Sequence, residues 1–261
     1  MADPIPFGAF CWPELGTPDL AAAQAFYTAL FGWEAEVAPT SGGDYVTWRL
    51  AGASVGGAWQ LPPEMIQQGI PPHWLSYAKV ADVDQAAAQT RALGGEVRMG
   101  PCDVMDLGRN LVIADPEGAV LALWQPGSHP GFETSGEPGS LCWTELMARR
   151  PGDAKAFYGG LLGWEARDRT DLGFTYTEWY VGETPVGGMM PMEGPEWGDL
   201  GAHWMPYFAV TDPDACAAQA QALGGSCCVA PQDIPGVGRF AVLGDPEGAF
   251  FSVIRLDGPS A

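Results

Sequence analysis

Two glutamates and two histidines stand at matching places in the chain, and their side chains have the chemistry for proton transfer. Glu14 and Glu145 lie 131 residues apart, and His73 and His203 lie 130 residues apart. A carboxylate beside an imidazole favours the protonated ring, and such a pair can act as a general acid or base. These residue types therefore predict acid–base chemistry wherever the fold brings a glutamate to a histidine.

The matching places arise from a repeat that covers most of the chain. The segment FCWPELGTPDLAAAQAFYTALFGWEAE (10–36) corresponds to LCWTELMARRPGDAKAFYGGLLGWEAR (141–167), and DPEG occurs at 115–118 and again at 245–248. A repeat this long exceeds the ~20–50-residue period of solenoid proteins and indicates whole domains. We predict a first domain over 1–126, a linker rich in glycine and proline over 127–139, and a second domain over 140–261.

Each domain divides again into two runs of the same elements. Residues 8–15 alternate as a strand does, Asp19 is a candidate N-cap, and Gly32 is a candidate end for the helix between them. Three short strands follow, over 33–39, 45–50 and 54–61. The second run predicts a strand over 74–80, a helix that begins near Asp82 or Asp84 and stops at Gly94–Gly95, and strands near 96–99, 109–114 and 119–125. The sequence therefore predicts four βαβββ units.

Four short motifs occur in the same order in both domains. They are AFY in the first helix, LFGW or LLGW after it, ALGG at the end of the second helix, and D-P-x-G before the last strand. Together with paired βαβββ units they resemble the vicinal oxygen chelate superfamily, which includes glyoxalase I, extradiol dioxygenases and the bleomycin- and fosfomycin-resistance proteins. The resemblance implies an α+β fold of two such domains. Each would be a U-shaped, mostly antiparallel sheet around a cavity, with helices outside.

Metal-dependent members of that superfamily place histidine, glutamate or glutamine at matching positions on the cavity face. Counted from the motifs, three positions in each domain hold other side chains: Trp12, Leu75 and Ala122, then Trp143, Met205 and Ser252. A fourth falls in ASVGGAW (53–59) or TPVGGMM (184–190), which contain neither carboxylate nor imidazole. Because divalent metals need such ligands, usually three or more from the protein, we expect no family-type metal site and no cofactor.

The same resemblance predicts how the glutamates and histidines meet. The first strands of two paired units should be antiparallel neighbours, and in that register Glu14 lies opposite His73 and Glu145 opposite His203. The structural alternative is a cross-strand ion pair at the cavity rim, worth ~0.2–1 kcal/mol, or simple inheritance of both residues by both copies. A two-ligand metal site is a third interpretation. If units are exchanged between domains, Glu14 meets His203 instead.

Aromatic side chains on the predicted strands are candidates for ligand contacts. The candidates are Trp12, Trp48, Tyr77, Trp124, Trp143, Trp179 and Tyr207. Roughly half of them are expected to belong to the core, as tryptophan side chains commonly do. The others would form stacking walls for a flat or cationic organic molecule. Gly56–Gly57 and Gly187–Gly188, inside strands, indicate a bulge or a closely approaching ligand. Arg109 and Arg239 each follow a glycine, and each is a candidate for anion binding or for capping a turn.

Charge and composition restrict the partners and the location. The formal net charge of −20 disfavours nucleic acid and anionic membrane surfaces as partners.

No stretch approaches the ~18 apolar residues of a membrane span, and the start MADPIPFGAF lacks the basic region of a signal peptide. Six sparse cysteines without a C-x-x-C pair indicate buried, reduced thiols. We expect a cytoplasmic monomer or homodimer whose partner is a small organic molecule.

These observations favour metal-free binding of a largely apolar or aromatic molecule in aromatic-lined cavities. One alternative is a lyase, isomerase or hydroxylase-like enzyme, with Glu14/His73 and Glu145/His203 as acid–base pairs. Another is a metal-dependent enzyme of the glyoxalase or dioxygenase type with atypical ligands.

Overall fold

The first copy of the repeat folds into eight strands and three helices. The structure is a computed structural model that describes residues 5–40, 42–171 and 173–258. In chain order the elements are β1 (Phe10–Thr17), α1 (Leu20–Phe31), β2 (Glu34–Thr40), β3 (Gly43–Leu50), β4 (Ala53–Gln60), α2 (Pro63–Gln67), β5 (His73–Lys79), α3 (Val83–Ala92), β6 (Glu96–Val104), β7 (Gly108–Ala114) and β8 (Val120–Pro126). The short helix α2 is the one element here that the sequence pattern did not predict.

The second copy repeats this order with a 3-10 turn in place of α2. Its elements are β9 (Leu141–Ala148), α4 (Pro151–Leu162), β10 (Glu165–Arg169), β11 (Tyr176–Val181), β12 (Thr184–Pro191), the turn Pro195–Trp197, β13 (His203–Ala209), α5 (Pro213–Ala222), β14 (Ser226–Ile234), β15 (Gly238–Gly244) and β16 (Phe250–Leu256).

Each copy forms one eight-stranded sheet. The strand orders are β2-β3-β4-β1-β5-β8-β7-β6 and β10-β11-β12-β9-β13-β16-β15-β14. The hairpin strands pair antiparallel, whereas β1 with β4 and β5 with β8 pair parallel, as do their counterparts in the second sheet. The parallel pairs arise because the last strand of each βαβββ unit returns beside the first. The predicted α+β class with four such units is confirmed.

The helix ends follow the capping signals in the sequence. The Asp19 carboxylate accepts a hydrogen bond from the Ala22 amide at 2.9 Å, and Gly32 ends α1 with a left-handed φ of 71°. At α3 the N-cap is Asp82, whose carboxylate accepts from the amide of Asp84 at 2.8 Å. The choice left open between those two aspartates is thereby decided, because a short acidic side chain just before the first turn satisfies otherwise unpaired amides.

The hydrophobic packing divides the chain into two compact units, and each unit takes parts of both copies. Among the described residues, the first unit comprises 5–11, Ser76–Gly131 and Trp143–Met205. The second unit comprises Trp12–Leu75, Phe132–Cys142 and 206–258. The first unit contains α3 and α4 over one core, and the second contains α1 and α5 over the other. The sheets follow the two copies, whereas each core combines halves of different copies.

A buried hydrogen-bond chain explains why AFY and DPEG occur twice. In the second unit the indole of Trp74 donates to the Tyr27 hydroxyl at 3.0 Å, and that hydroxyl donates to the Asp245 carboxylate at 3.0 Å. The other Asp245 oxygen accepts from the amide of Ala249 at 2.8 Å and so also holds its own turn. Desolvation raises the pKa of both Asp245 and Tyr27. The first unit repeats the chain with Trp204, Tyr158 and Asp115.

Two further expectations concern the cysteines and the membrane. All six cysteines are free; Cys11 and Cys216 are buried, whereas Cys102 and Cys228 are exposed. The expectation of uniform burial is wrong, because Cys102 and Cys228 lie on β6 and β14, the edge strands of their sheets, where every residue is exposed or half-buried. Among the described residues, none of the helices has both the length and the apolar character needed to traverse a bilayer.

Candidate ligand-binding site

A tryptophan, a tyrosine and a glutamate form a hydrogen-bonded cluster in the second unit. Trp12 and Glu14 are two residues apart on β1 and therefore share one face of the strand. The Tyr45 hydroxyl, from β3, accepts from the Trp12 indole at 3.0 Å and donates to the Glu14 carboxylate at 2.8 Å. Trp12 is buried, while Glu14 and Tyr45 are half-buried. We call Trp12, Glu14 and Tyr45 the first Trp–Tyr–Glu cluster.

The first unit contains the same arrangement from the second copy. The Tyr176 hydroxyl accepts from the Trp143 indole at 2.9 Å and donates to the Glu145 carboxylate at 2.7 Å. The Glu145 side chain is buried, and Trp143 is half-buried. Trp143, Glu145 and Tyr176 form the second Trp–Tyr–Glu cluster.

Glycines in the neighbouring strands make room for the two tyrosine hydroxyls. A Cβ atom at Gly57 would overlap the Tyr45 hydroxyl and lie 3.0 Å from the Trp12 indole nitrogen. At Gly188 a Cβ would overlap the Tyr176 hydroxyl. The second glycine of each VGG motif is therefore required by the cluster itself.

The first glycine of each motif has a different role. A Cβ at Gly56 would lie 2.8 Å from the Pro13 carbonyl oxygen, and one at Gly187 would lie 2.7 Å from the Thr144 carbonyl oxygen. The register between β3 and β4 shifts just after Trp48, and that between β11 and β12 shifts just after Trp179. The bulge that the glycines predicted is confirmed in both copies, and the close neighbours of these glycines are the chain's own atoms.

The environment of Tyr45 keeps its hydroxyl protonated. Desolvation raises the pKa of Tyr45 well above its ordinary value, and the charge of Glu14 and the hydrogen bond to it raise the pKa further. The Trp12 indole opposes this effect by donating to the same oxygen. Tyr45 is therefore a neutral donor that fixes the orientation of the carboxylate.

The two predicted catalytic histidines bond to nearby backbone carbonyl groups. The Nδ1 atom of His73 lies 2.8 Å from the Pro71 carbonyl oxygen, and that of His203 lies 2.8 Å from the Gly201 carbonyl oxygen. A carbonyl oxygen can only accept, so Nδ1 carries the proton and Nε2 is the position left for exchange. The contact of each histidine with its glutamate stays a prediction.

His203 should make the stability of the protein depend on pH. Burial lowers the pKa of His203, and the hydrogen bond to Gly201 offsets part of this effect. The folded state therefore favours the neutral ring. The contribution of the neutral His203 ring to the free energy of unfolding is present above the unfolded pKa of about 6.5. This contribution is lost as the pH falls through the lower pKa of the folded state.

We expect the free energy of unfolding of the wild-type protein to fall more between pH 8 and pH 5 than that of His203→Gln. Urea titrations of both proteins at several pH values would measure this difference. Parallel pH profiles for the two proteins would contradict it.

Two of the candidate ligand contacts lie in the hydrophobic cores. Trp48 has no exposed surface and packs at 5.4 Å from the Trp33 ring, and Trp179 packs at 5.4 Å from Trp164. Each indole lies three residues after the cluster tyrosine of its strand, Tyr45 or Tyr176. Because successive side chains of a strand point to opposite faces, the indole and the tyrosine lie on opposite faces of the sheet. We assign both indoles to the hydrophobic cores.

The remaining aromatic candidates are buried beside their strand partners. In the first unit the rings of Tyr77 and Trp124 meet edge to face at 6.4 Å, and the Trp124 indole donates to the His129 carbonyl at 2.9 Å. In the second unit Tyr207 lies in register with Ser252 across β13 and β16. Tyr207 is also buried.

Arg109 and Arg239 are each paired with two carboxylates. Arg109 contacts Asp84 at 2.5 Å and Asp103 at 2.8 Å. Arg239 makes the same contacts with Asp214 and Asp233, at 2.6 and 3.0 Å. Two negative charges surround each guanidinium group. These contacts favour a structural role for Arg109 and Arg239 over the binding of an anion.

The described residues do not fit a metal ion of the kind the fold family implies. Within 5–40, 42–171 and 173–258, no three histidine, cysteine, aspartate or glutamate side chains are grouped closely enough to hold one. The positions predicted as ligand slots carry indole, aliphatic, thioether or hydroxyl groups, which are poor ligands for hard divalent ions.

Comparison with known proteins agrees with the fold and the repeat. The family model of the glyoxalase/bleomycin resistance protein/dioxygenase superfamily matches residues 10–123, and a glyoxalase-like domain matches residues 143–254. The chain belongs to this superfamily, and the resemblance inferred from the four motifs is confirmed.

The similarity extends over nearly the full length of curated relatives. The chain is 42% identical over 249 residues to a protein of Mycobacterium bovis named as a glyoxylase, CFP32, with 94% of this chain and 93% of that protein covered. It is 41% identical over 263 residues to the anthracycline biosynthesis protein DnrV of Streptomyces peucetius, with 95% and 94% covered.

Solved structures share the fold at low sequence identity. The Mn(II)-bound glyoxalase from Novosphingobium aromaticivorans has a TM-score of 0.62 at 15% identity, with 97% of this chain and 85% of that chain covered. An extradiol ring-cleaving dioxygenase from B. fuscum has a TM-score of 0.62 at 16% identity, with 100% and 75% covered.

Sequence reasoning found the tryptophan and glutamate of each cluster but missed the tyrosine. Tyr45 and Tyr176 are 131 residues apart, the same offset as Glu14 and Glu145. That shared offset was the available signal, but only the strand register shows that each tyrosine reaches across a glycine to its glutamate.

Proposed function

We propose that the protein binds a small, flat, hydroxylated aromatic molecule at its Trp–Tyr–Glu clusters, without a metal ion. The observation that carries this proposal is the duplicated hydrogen-bonded arrangement of indole, phenol and carboxylate, each held over a glycine. A cytoplasmic location and the absence of nucleic-acid and membrane partners are part of the same proposal. The net charge of −20 supports the part of the proposal that concerns nucleic acid and anionic membrane surfaces.

The chemistry of the cluster suits such a ligand. An indole offers a flat apolar surface on which a ring can stack, worth about 0.5–1.5 kcal/mol beyond the buried area. An ionised carboxylate can accept several hydrogen bonds, and the Tyr45 hydroxyl contributes one of them to Glu14. A phenolic hydroxyl of a ligand can donate another, and a hydrogen bond to a charged group contributes about 1.5–3 kcal/mol.

The names of two relatives support this ligand class. DnrV of Streptomyces peucetius and DauV of a Streptomyces species, 41% and 40% identical to this chain, are both named as anthracycline biosynthesis proteins. Anthracyclines contain a flat, fused ring system with hydroxyl and carbonyl oxygens. A ligand of this class offers both the stacking surface and the phenolic donor that the clusters suit.

Binding of 1,4-dihydroxyanthraquinone, followed by quenching of tryptophan fluorescence and by calorimetry, tests the proposal. We expect Glu14→Gln and Glu145→Gln each to weaken one class of site by roughly 10–100-fold, since a charge-assisted hydrogen bond is lost. The double variant should lose most binding. Glu34→Gln, at an exposed position on β2, is the matched control and should bind as the wild type does. A wild-type protein that does not bind, or a double variant that binds normally, would refute the proposal.

Acid–base catalysis on the bound molecule is the second candidate. The observation in its favour is the buried Glu145 carboxylate, which lies 2.7 Å from the Tyr176 hydroxyl. Glu145 is on β9 and His203 is on β13, both in the second copy. Burial keeps the His203 ring neutral near pH 7 by lowering its pKa. The pairs Glu14/His73 and Glu145/His203 would then exchange a proton with the ligand, as a lyase, isomerase or hydroxylase-like enzyme requires.

Mass spectrometry of the ligand after incubation separates the two candidates. Sequestration leaves the ligand chemically unchanged, whereas catalysis yields a product whose formation Glu145→Gln or His203→Ala abolishes. Metal analysis of the purified protein and incubation with a chelator decide the metal-dependent alternative. Product that disappears only with the chelator would support that alternative against both candidates.

A further inference from the structure

A half-buried tryptophan stands beside the first Trp–Tyr–Glu cluster, within the second unit. Trp59, on β4, is the cross-strand partner of Tyr45 on β3. It lies two residues after Gly57, whose Cβ would point at the Tyr45 hydroxyl. The residue between them, Ala58, belongs to the hydrophobic core. Because side chains alternate along a strand, Trp59 lies on the face of the sheet that carries the cluster.

Trp59 offers apolar surface on this face. The residue is half-buried, but its ring nitrogen is buried and has no hydrogen-bond partner among the described residues. The part of the indole that is left exposed is therefore carbon. On the other side of Trp59, its partner on β1 is Gly16, and a Cβ there would lie 3.1 Å from the His73 ring. An indole and an imidazole, both flat and rigid, thus flank the first cluster.

The second cluster has flexible side chains at the matching positions, within the first unit. Met190, on β12, lies two residues after Gly188, whose Cβ would overlap the Tyr176 hydroxyl. It is half-buried and pairs with Met147 on β9. These two methionines follow Trp59 and Gly16 at the 131-residue offset of the repeat. Methionine has three rotatable bonds in its side chain and adapts to irregular shapes.

The two clusters therefore share their hydrogen bonds but differ in the surface beside them. Building on the proposed function, we infer that Trp59 and Met190 decide which aromatic molecule each cluster prefers. Trp59 stacks on a planar ring system and disfavours a group that projects from the ring plane. Met190 adapts its side chain to such a group. The first cluster selects strictly planar molecules, and the second also accepts molecules with a bulky aliphatic substituent.

Two probes that share one hydroxylated ring system test the inference. 1,4-Dihydroxyanthraquinone is planar, and its 6-tert-butyl derivative carries a group that projects above and below the ring plane. Calorimetry gives the affinity of each cluster, because Glu145→Gln leaves the first cluster as the strong site and Glu14→Gln leaves the second. We call the affinity for the planar probe divided by that for the derivative the planar preference. It should be about three- to tenfold higher at the first cluster, the contribution of one aromatic pair.

Exchange of the two residues should exchange the preferences. In the Glu145→Gln protein, Trp59→Met should lower the planar preference of the first cluster about three- to tenfold. Trp59→Phe keeps a flat ring and should retain most of that preference. In the Glu14→Gln protein, Met190→Trp combined with Met147→Gly, which provides room, should raise the preference of the second cluster by about the same factor. Circular dichroism shows whether each variant is folded.

The outcomes separate this inference from the proposed function. If the glutamate variants weaken binding but the two clusters have equal planar preferences, the inference is wrong and the proposed function stands. A loss by Trp59→Met that is equal for both probes also refutes it, because a general packing defect does not distinguish them. The exchanges lie in different units, so either one tests the inference if the other variant does not fold. If neither probe binds to the wild-type protein, the proposed function fails and the inference fails with it.

Discussion

Alanine at Gly57 or Gly188 should abolish ligand binding at one Trp–Tyr–Glu cluster while leaving the protein folded. The added Cβ would overlap the hydroxyl of Tyr45 or Tyr176. A tyrosine ring can swing away from such a clash, so the cost in stability should stay near the ~1–3 kcal/mol of a moderate overpacking. The displaced hydroxyl would release both the indole and the carboxylate, and the geometry of the site would be lost.

We expect the affinity for 1,4-dihydroxyanthraquinone at the altered cluster to fall by about 100-fold, from the loss of a charged hydrogen bond and its preorganisation. Calorimetry would show one class of sites missing, and circular dichroism would show an intact fold. Gly152→Ala is the control, because a Cβ there meets no atom within 4 Å. Unchanged binding by Gly57→Ala and Gly188→Ala would show that the tyrosines do not organise the site.

Phenylalanine at Tyr27 or Tyr158 should cause a large loss of stability despite conserving the ring. In the second unit the change leaves one Asp245 oxygen without its donor and the Trp74 indole without its acceptor. Both groups are buried, and each unsatisfied group costs about 1–3 kcal/mol. We expect the free energy of unfolding to fall by about 2–4 kcal/mol for either variant.

Urea and thermal unfolding, monitored by circular dichroism, would measure this loss. Tyr180→Phe is the matched control, because the Tyr180 hydroxyl contacts Glu178 on a partly exposed strand, and it should change stability by less than about 0.5 kcal/mol. If Tyr27→Phe is as stable as the control, the chain from Trp74 to Asp245 contributes little to folding.

Local signals predicted the elements well. The capping side chain of Asp19, the left-handed Gly32 and the alternating strands all act within a few residues, so the sequence displays them directly. The DPEG motif was also visible, but its role was not. Asp245 accepts from Tyr27, a residue 218 positions away, and no short-range pattern reveals such a partner.

The candidate site was predictable only in part for the same reason. Trp12 and Glu14 lie on one strand, and their two-residue spacing places them on one face. Tyr45 joins them from another strand, and the choice between core and site for Trp48 depends on which face of β3 packs under the helix. Such choices depend on tertiary contacts, which periodicity does not specify.

Because each compact unit contains parts of both copies, the chain cannot be divided between the copies without opening both cores. Tyr27 finds its acceptor in the other half of the polypeptide, and so does Tyr158. A protease cut in the connecting segment would leave each fragment with an incomplete interior, so the fragments would need to reassociate to regain it. A single copy by itself would lack the partner residues that complete each core, and only a second copy of the same kind could supply them.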